Sequence, residues 1–191
     1  MDPARAAGRL AFAGAVLTGG RSSRMGQDKA MVPVDGVPMA ARVADALRQS
    51  GAEPVLAVGG DQAALEALGL TWVADRHPGE GPLGGILSAF GAVGDRDLVV
   101  ILATDLPDLD AAVVRALVTG LGSHDVAVAG GARAEPLCGV WRVASCEPVL
   151  TSAFDGGERA VHRAMAALDR VVVPVPAQHL RNVNHPDDLG R

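Results

Sequence analysis

Residues 12–30, FAGAVLTGGRSSRMGQDKA, decide the fold class of this 191-residue chain. The first six are an apolar run that stops at Thr18 and two glycines, a pattern typical of a buried strand that ends in a loop. The loop then brings together three glycines, two arginines, two serines and a lysine, all of which can contribute to anion binding. This segment therefore predicts a strand that leads directly into a phosphate-binding loop.

Strand and helix patterns alternate along the rest of the chain. Strands are predicted at residues 12–17, 54–58, 70–74, 98–103, 125–129, 137–142 and 170–175, and helices at 38–50, 62–68, 82–93, 111–121, 144–154 and 159–168. A short apolar segment at 31–34 ends in the turn signal Asp35-Gly36. Alternation of this kind implies right-handed crossovers and a mostly parallel sheet with helices on both faces. We therefore expect an α/β three-layer sandwich whose ligand binds at the carboxyl ends of the strands.

Composition and charge limit the kinds of protein that this chain can be. With 49% hydrophobic and 20% charged residues it has a globular composition, and its length fits one domain over residues 1–191. We expect residues 1–10 to form a frayed tail. The net charge of −5 argues against a nucleic-acid-binding protein, which needs a concentration of cations. The apolar run near the N-terminus is too short to span a membrane, which favours a cytoplasmic protein.

The cysteine and histidine residues do not form the pattern of a metal site. Cys138 and Cys146 lack the paired spacing of zinc ligands, so we interpret both as buried thiols. None of the five histidines has the close spacing of metal ligands. Structural or solvent-exposed roles are expected for all of them.

The loop between residues 17 and 30 has the chemistry to hold a triphosphate. Gly19, Gly20 and Gly26 allow backbone amides to approach phosphate oxygens. Arg24 and Lys29 supply positive charge. The loop is not a P-loop, which needs four residues between its glycines and then Gly-Lys-Ser/Thr, and it does not match GxGxxG. A solvent-exposed surface loop is the alternative, but the lysine and the preceding strand favour a phosphate site.

Two aspartates follow predicted strands at the edge where a ligand is expected. Asp105 comes just after strand 98–103, and its carboxylate can hold a Mg²⁺ ion that bridges phosphate oxygens. We therefore predict that Asp105 is a metal ligand with a catalytic role. Asp75 follows strand 70–74, where a turn and a nucleotide contact are equally open interpretations. The alternative for Asp105 is a turn or a helix cap, which fits Asp108 better because Leu109 is expected to open the next helix.

The loop LTGGRSSRMGQDKA, residues 17–30, closely resembles the signature loop of the molybdenum cofactor guanylyltransferases. These enzymes belong to a wider nucleotidyltransferase superfamily. The resemblance implies a single Rossmann-like domain of the nucleotide-diphospho-sugar transferase type. It also implies transfer of GMP from GTP to the phosphate of molybdopterin, with release of pyrophosphate and with Mg²⁺ as cofactor. A molybdoenzyme or a chaperone would receive the product.

The same resemblance gives roles to individual residues near the predicted cleft. Contacts with GTP are implied for Leu17, which would line the guanine pocket, and for Gly19, Gly20, Lys29 and Asp75. The Asp-x-Pro pattern at Asp105 matches the metal-binding segment of the family. We expect catalysis to depend on positioning and on charge neutralisation, with Mg²⁺ on Asp105 and cationic contacts from Lys29 and Arg24, and without a general base.

The C-terminal segment RNVNHPDDL, residues 181–189, resembles an Asn-x-Asn-Thr-Pro segment of the guanylyltransferases. Asn182 and Asn184 can each donate and accept hydrogen bonds, and the resemblance implies that they bind the acceptor. A simple turn before Pro186 is the alternative. Related cytidylyltransferases tend to have Asp-x-Asp here, so the asparagines favour guanine. His185 replaces the family's threonine, which leaves open what replaces its hydroxyl contact.

Weaker matches extend the resemblance along the chain. EPLCGVW at residues 135–141 resembles the family's Pro-Leu strand, and residues 157–159 match its Gly-Glu-Arg segment, whereas Gly59-Gly60 stands where some members have asparagine. The alternatives are a molybdopterin cytidylyltransferase, a sugar-phosphate nucleotidyltransferase and a non-catalytic nucleotide-binding module. The presence of both Lys29 and Asp105 argues against the non-catalytic module.

Overall fold

The structure, a computed structural model, describes residues 10–19, 28–131, 133–184 and 188. Most of the expected tail therefore lies outside the described residues. The strands are β1 (Phe12–Leu17), β2 (Pro33–Val34), β3 (Val37–Pro38), β4 (Val55–Val58), β5 (Thr71–Val73), β6 (Leu98–Ala103), β7 (Val126–Gly130), β8 (Ala134–Arg142) and β9 (Arg170–Pro174). The α-helices are α1 (Met39–Ser50), α2 (Gln62–Ala67), α3 (Pro82–Phe90), α4 (Ala111–Gly120), α5 (Val143–Asp155) and α6 (Val161–Ala164). Short 3₁₀ segments lie at Lys29–Met31, Met165–Ala167 and Ala177–Leu180.

Seven of these strands form one sheet in the order β5-β4-β1-β6-β8-β7-β9. Neighbouring strands are parallel except where β8 pairs antiparallel with β6 and with β7. Every residue of β6 is buried, because this strand lies at the centre of the sheet with helices on both sides. The expectation of a mostly parallel sheet is confirmed.

Helices cover both faces of the sheet. α1, α2 and α4 pack on one face with Val16 and Leu102, whereas α3, α5 and α6 pack on the other with Ala15 and Ile101. Successive side chains of a strand point to opposite faces, so β1 and β6 contribute to both layers of core. None of the helices in the described part of the chain is long and apolar enough to cross a lipid bilayer. The predicted three-layer α/β sandwich is confirmed.

Both cysteines are free and buried. Cys138 belongs to the core on the α1 and α4 face, and Cys146 belongs to the core on the α3 and α5 face. Burial raises the pKa of Cys138 to about 12 and the pKa of Cys146 to about 11. The interpretation of both residues as buried thiols is confirmed.

We expected Asp108 to lie in a turn or to cap helix α4; it lies in a turn and does not cap the helix. The helix begins directly after Asp110, whose carboxylate accepts hydrogen bonds from the N–H groups of Ala112 and Val113, both at 2.9 Å. A cap must stand immediately before the first helical residue to reach these donors. Asp108 instead accepts a hydrogen bond from Arg181 Nε at 2.7 Å. It therefore links the loop after β6 to the C-terminal segment.

Some predicted elements differ in extent from those observed. The apolar segment at 31–34 is divided between a 3₁₀ turn and the hairpin β2–β3, whose turn residues Asp35 and Gly36 have φ of 50° and 79°. The helix predicted over 159–168 is divided between α6 and a 3₁₀ turn, and the helix predicted over 82–93 ends at Phe90. None of these differences changes the order of the elements.

Candidate active site

A cleft of about 1140 Å³ opens at the carboxyl ends of β1, β4, β5 and β6, beside the first turn of α3. This is the edge of the sheet at which a ligand is expected in a parallel α/β fold. The predicted site residues that line the cleft are Leu17, Gly19, Lys29, Asp75, Asp105 and Asn184. Gly20 and Arg24 lie outside the described residues, as does His185.

Lys29, the only lysine in the chain, connects two distant segments of the cleft. Its Nζ donates to Asp105 Oδ2 at 2.9 Å and to Asn184 Oδ1 at 2.6 Å. Asp28 caps the 3₁₀ turn that carries Lys29, because its carboxylate accepts the N–H of Ala30 at 3.0 Å. The side chains of Lys29 and Asp105 are only 21% and 23% exposed. Their ion pair is therefore largely shielded from water.

Backbone and apolar contacts bring the C-terminal segment to Asp105. Val183 donates its N–H to the backbone oxygen of Asp105 at 2.9 Å. The side chain of Val183 is buried in a small cluster with Val32, Val34 and Met39. These contacts place Asn184 beside Lys29, although the two residues are 155 positions apart in the sequence.

The backbone after β1 packs directly against the backbone after β4. Gly59 has a φ of +75°, and a Cβ at this position would lie 2.9 Å from Gly19 Cα, so a side chain does not fit. This contact explains why glycine stands at position 59. The N–H of Gly19 donates to Val58 O at 2.9 Å. The end of β4 therefore already uses the Gly19 amide, and the expected contact of this amide with a phosphate stays a prediction.

One carboxylate oxygen of Asp75 accepts hydrogen bonds within a turn, and the other is directed toward the cleft. Its Oδ1 accepts the N–H of His77 at 2.9 Å and the hydroxyl of Ser88 at 3.1 Å. Its Oδ2 lies 3.6 Å from the place that a Cβ on Gly19 would take. The turn interpretation of Asp75 is therefore observed, and its contact with a nucleotide stays a prediction.

Several cleft residues were not singled out from the sequence. Thr104 donates its hydroxyl to Leu17 O at 2.6 Å and so ties the end of β6 to the end of β1. Trp72 lines the cleft and donates its indole N–H to Gly59 O at 3.1 Å. Thr104 stands beside Asp105 after the same strand, so the strand-end rule that identified Asp105 applies to it as well. Trp72 carries no comparable signal, because its strand is short and weakly patterned.

A bulge in β8 shapes the opposite side of the cleft. The pairing with β7 shifts register, so that Val128 pairs with Gly139 but Ala129 pairs with Glu135. The extra residues include Leu137, which lines the cleft. Burial raises the pKa of Glu135, and the negative charge of Asp105 raises it further. Glu135 is thus an acidic neighbour of the predicted metal ligand.

The Gly-Glu-Arg segment fixes one rim of the cleft. Arg159 pairs with Glu80 at 2.5 Å and lies over the ring of Phe154, 3.9 Å from its centroid. Glu80 precedes Gly81, which lines the cleft at the start of α3. The contact therefore anchors the loop from which α3 begins.

Asn182 does not line the cleft. Its side-chain amide donates to Leu180 O at 3.4 Å, and the residue is exposed. Only Asn184 of the predicted pair lines the cleft and contacts Lys29. The two asparagines therefore have different surroundings, although they lie two positions apart.

Residues 14–180 match the model of a family described as the MobA-like NTP transferase domain. The chain belongs to this family. The match runs from β1 to the last 3₁₀ segment and therefore contains Lys29, Asp75 and Asp105. Membership of the MobA-like NTP transferases makes the chain a nucleotidyltransferase.

Similar proteins support this membership over nearly the whole chain. A probable molybdenum cofactor guanylyltransferase of Opitutus terrae is 37% identical over 198 residues, which cover 95% of this chain and 94% of the relative. The molybdenum cofactor guanylyltransferase of Cereibacter sphaeroides is 34% identical over 183 residues, 93% of each chain. The crystal structure of molybdopterin-guanine dinucleotide biosynthesis protein A from Archaeoglobus fulgidus has a TM-score of 0.75 and 26% identity, and it covers 92% of this chain and 94% of its own. The resemblance inferred from the glycine-rich loop is confirmed.

Proposed function

We propose that this MobA-like NTP transferase transfers GMP from GTP to the phosphate of molybdopterin and releases pyrophosphate. The observation that carries the proposal is the meeting of Lys29, Asp105 and Asn184 in one cleft at the carboxyl ends of the strands. The relatives from Opitutus terrae and Cereibacter sphaeroides are named as guanylyltransferases of the molybdenum cofactor. Their names support GTP as the donor and molybdopterin as the acceptor.

The proposed reaction is an in-line displacement at the α-phosphorus of GTP. An oxygen of the molybdopterin phosphate forms a bond to this phosphorus, and the bond to the bridging β-phosphate oxygen breaks, so that its electron pair leaves with pyrophosphate. A phosphate monoester is largely ionised at neutral pH, so the attack needs no general base. Both reactants are anions, and catalysis therefore depends on positioning and charge neutralisation.

The nucleotide is proposed to lie between the loop after β1 and the start of α3. Lys29 neutralises phosphate charge, because its ammonium group is held inside the cleft by two oxygen atoms. Asp75 directs its free oxygen toward the same space. The remaining nucleotide contacts are proposed for Leu17, Gly19, Gly20 and Arg24.

Asp105 fits the role of a magnesium ligand. Its carboxylate lies in the cleft and is partly exposed, so that one side of it can be reached by a cation. Mg²⁺ is usually held by one or two carboxylates together with substrate phosphates. No group of three or more His, Cys, Asp or Glu side chains that could hold a metal ion occurs in the described ranges. Mg²⁺ at Asp105 would supply positive charge to the phosphate oxygens, and Lys29 would add to it.

The acceptor is proposed to approach from the C-terminal segment. Asn182 has an exposed carboxamide that can donate and accept hydrogen bonds without adding negative charge beside a phosphate. Asn184 belongs to the same segment and lines the cleft. A molybdoenzyme or a chaperone is the proposed recipient of the finished cofactor.

Pyrophosphate release tests the proposal. The purified protein is incubated with Mg²⁺ and GTP, CTP or UTP. Each nucleotide is tested without an acceptor, with molybdopterin that is metal-free or loaded with molybdenum, and with a sugar phosphate. We expect release only with GTP and an acceptor. Release with CTP and molybdopterin but not with GTP would assign the chain to the cytidylyltransferases. Release only with a sugar phosphate as acceptor would assign it to the sugar-activating enzymes.

Substitutions at the paired residues test the site itself. Lys29→Ala and Asp105→Ala should each lower turnover by about 10²-fold or more, the scale of a lost charged contact in the transition state. Arg48→Ala, which removes a cation on the exposed surface of α1, is the control. Near-normal turnover in both cleft variants would refute the proposed site.

A further inference from the structure

Asn184 accepts a hydrogen bond from Lys29, the residue that the proposed function brings to the phosphates of GTP. From this contact we propose that Asn184 is a positioning residue, which holds the ammonium group of Lys29 where the nucleotide phosphates bind. The proposal rests on the proposed function for the identity of the nucleotide. It differs from the role expected from the sequence, in which both asparagines bind the acceptor.

Two oxygen atoms from different segments hold the ammonium group. Nζ of Lys29 donates to Asn184 Oδ1 at 2.6 Å and to Asp105 Oδ2 at 2.9 Å. An ammonium group has three N–H donors, so one remains for a phosphate oxygen. Lysine is a point charge on a flexible four-carbon chain, and two fixed acceptors restrict where that charge can lie. Asn184 does this without adding a negative charge beside the phosphates.

The backbone at Asn184 and before it is anchored. Val183 is buried and donates its N–H to Asp105 O at 2.9 Å. Asn184 donates its own N–H to Asp188 Oδ2 at 2.9 Å. Upstream, Arg181 is held by an ion pair with the loop after β6. These contacts hold the backbone that carries the Asn184 side chain, which supports its assignment as a positioning residue.

Asn182 serves as the comparison for Asn184. Its side chain donates to Leu180 O at 3.4 Å and has no hydrogen bond to Lys29. Asn182 and Asn184 are the only asparagines in the chain. They are therefore a matched pair, with the same side chain in the same segment and with different contacts.

GTP affinity measured without an acceptor distinguishes the two roles. We expect Asn184→Ala to weaken GTP binding roughly tenfold, the scale of a hydrogen bond to a charged group. Asn182→Ala should leave GTP affinity unchanged, although its turnover with acceptor falls. In a Lys29→Met background, Asn184→Ala should have no further effect, because the partner is absent. Calorimetry with GTP and Mg²⁺ gives these affinities, and equal affinity in Asn184→Ala and the wild type would overturn the proposal.

The single lysine permits a second test that needs no nucleotide. Trinitrobenzenesulfonate modifies Lys29 and the N-terminal amine, and the Lys29→Met variant measures the N-terminal background. We expect Lys29 to react several-fold faster in Asn184→Ala than in the wild type or in Asn182→Ala, because one of its two acceptors is lost. Equal rates in all three proteins would overturn the proposal. Thermal unfolding of each variant verifies that the rates refer to folded protein.

These two measurements separate failure of the inference from failure of the proposed function. A wild-type protein that binds no GTP would contradict the proposed function. The reactivity of Lys29 alone would then decide whether Asn184 positions it. A wild-type protein that binds GTP, with no change of affinity or reactivity in Asn184→Ala, would contradict only the inference.

Discussion

The ammonium group of Lys29 and a metal cation would compete for the same carboxylate, that of Asp105. The two residues form an ion pair at 2.9 Å with side chains that are 21% and 23% exposed. We expect Lys29→Met to strengthen binding of Mn²⁺ to the protein alone roughly fivefold, since a partly exposed pair is worth about 1 kcal/mol. Calorimetry with Mn²⁺ as the probe measures this change. Arg48→Met, which breaks a surface pair with Asp45, should leave Mn²⁺ affinity unchanged.

Two results of the Mn²⁺ measurement would contradict competition between Lys29 and the metal for Asp105. Unchanged or weaker Mn²⁺ binding in Lys29→Met would mean that the lysine does not restrict access to Asp105. A metal site elsewhere in the protein would then be indicated if Asp105→Asn also left the affinity unchanged.

The lack of a Cβ atom at Gly59 allows the backbone after β4 to pack against the backbone after β1. A Cβ at Gly59 would lie 2.9 Å from Gly19 Cα, whereas Gly69 has a similar φ of +70° with nothing within 4 Å. We expect Gly69→Ala to lower the free energy of unfolding by about 1 kcal/mol through backbone strain alone. Gly59→Ala should lower it by at least about 2 kcal/mol, because the clash with backbone adds to the strain. Urea denaturation compares the two, and equal losses would contradict the close packing at the cleft.

At the scale of elements, the start of α6 depends on one carboxylate. Glu158 accepts hydrogen bonds from Arg163 Nε at 2.6 Å and from the N–H groups of Arg159 and Ala160, both at 2.8 Å. The bond from Arg163, followed by the two backbone bonds, lowers the pKa of Glu158 from 4.5 to about 2. Because the folded pKa is depressed, this carboxylate stabilises the protein above pH 4.5 and loses its effect as the pH falls toward 2.

We expect the difference in melting temperature between Glu158→Gln and the wild type to depend on pH. The variant should melt at a lower temperature at neutral pH, and the gap should close between about pH 4.5 and pH 2. Thermal unfolding followed by circular dichroism measures the gap. Glu147→Gln, at an exposed position of α5 with no hydrogen bond to any described residue, is the control. A gap that stays constant with pH would contradict the role of the carboxylate.

Elements with a strong local pattern were predictable to the residue, whereas β8 was not. β1 and β6 have the predicted bounds, 12–17 and 98–103, because each is an apolar run closed by polar or turn-forming residues. β8 starts at Ala134 rather than 137, and its antiparallel insertion between β6 and β7 includes a bulge. Bulges and strand order depend on partner strands, so apolar periodicity alone does not reveal them.

The two buried thiols report whether the whole molecule unfolds cooperatively. Cys138 and Cys146 lie on opposite faces of the sheet, in separate layers of core. If residues 1–191 fold as the expected single domain, both thiols should become accessible to iodoacetamide over the same range of urea concentration. Mass spectrometry of the labelled peptides measures each site separately. Labelling of one thiol at a clearly lower urea concentration would show that the two layers unfold independently.

The sequence by itself determined the order of the elements, the fold class and the two central residues of the cleft. Asp105 was identified because it comes just after a strand with a complete apolar pattern, and Lys29 because it belongs to the glycine-rich loop that such a strand leads into. The tertiary structure decided that Asn184 contacts Lys29, that Gly59 packs on Gly19 and that Asn182 stays outside the cleft. Local periodicity and turn chemistry depend on neighbouring residues, which the sequence displays. Contacts between distant segments depend on how whole layers pack, and no short stretch of sequence contains that information.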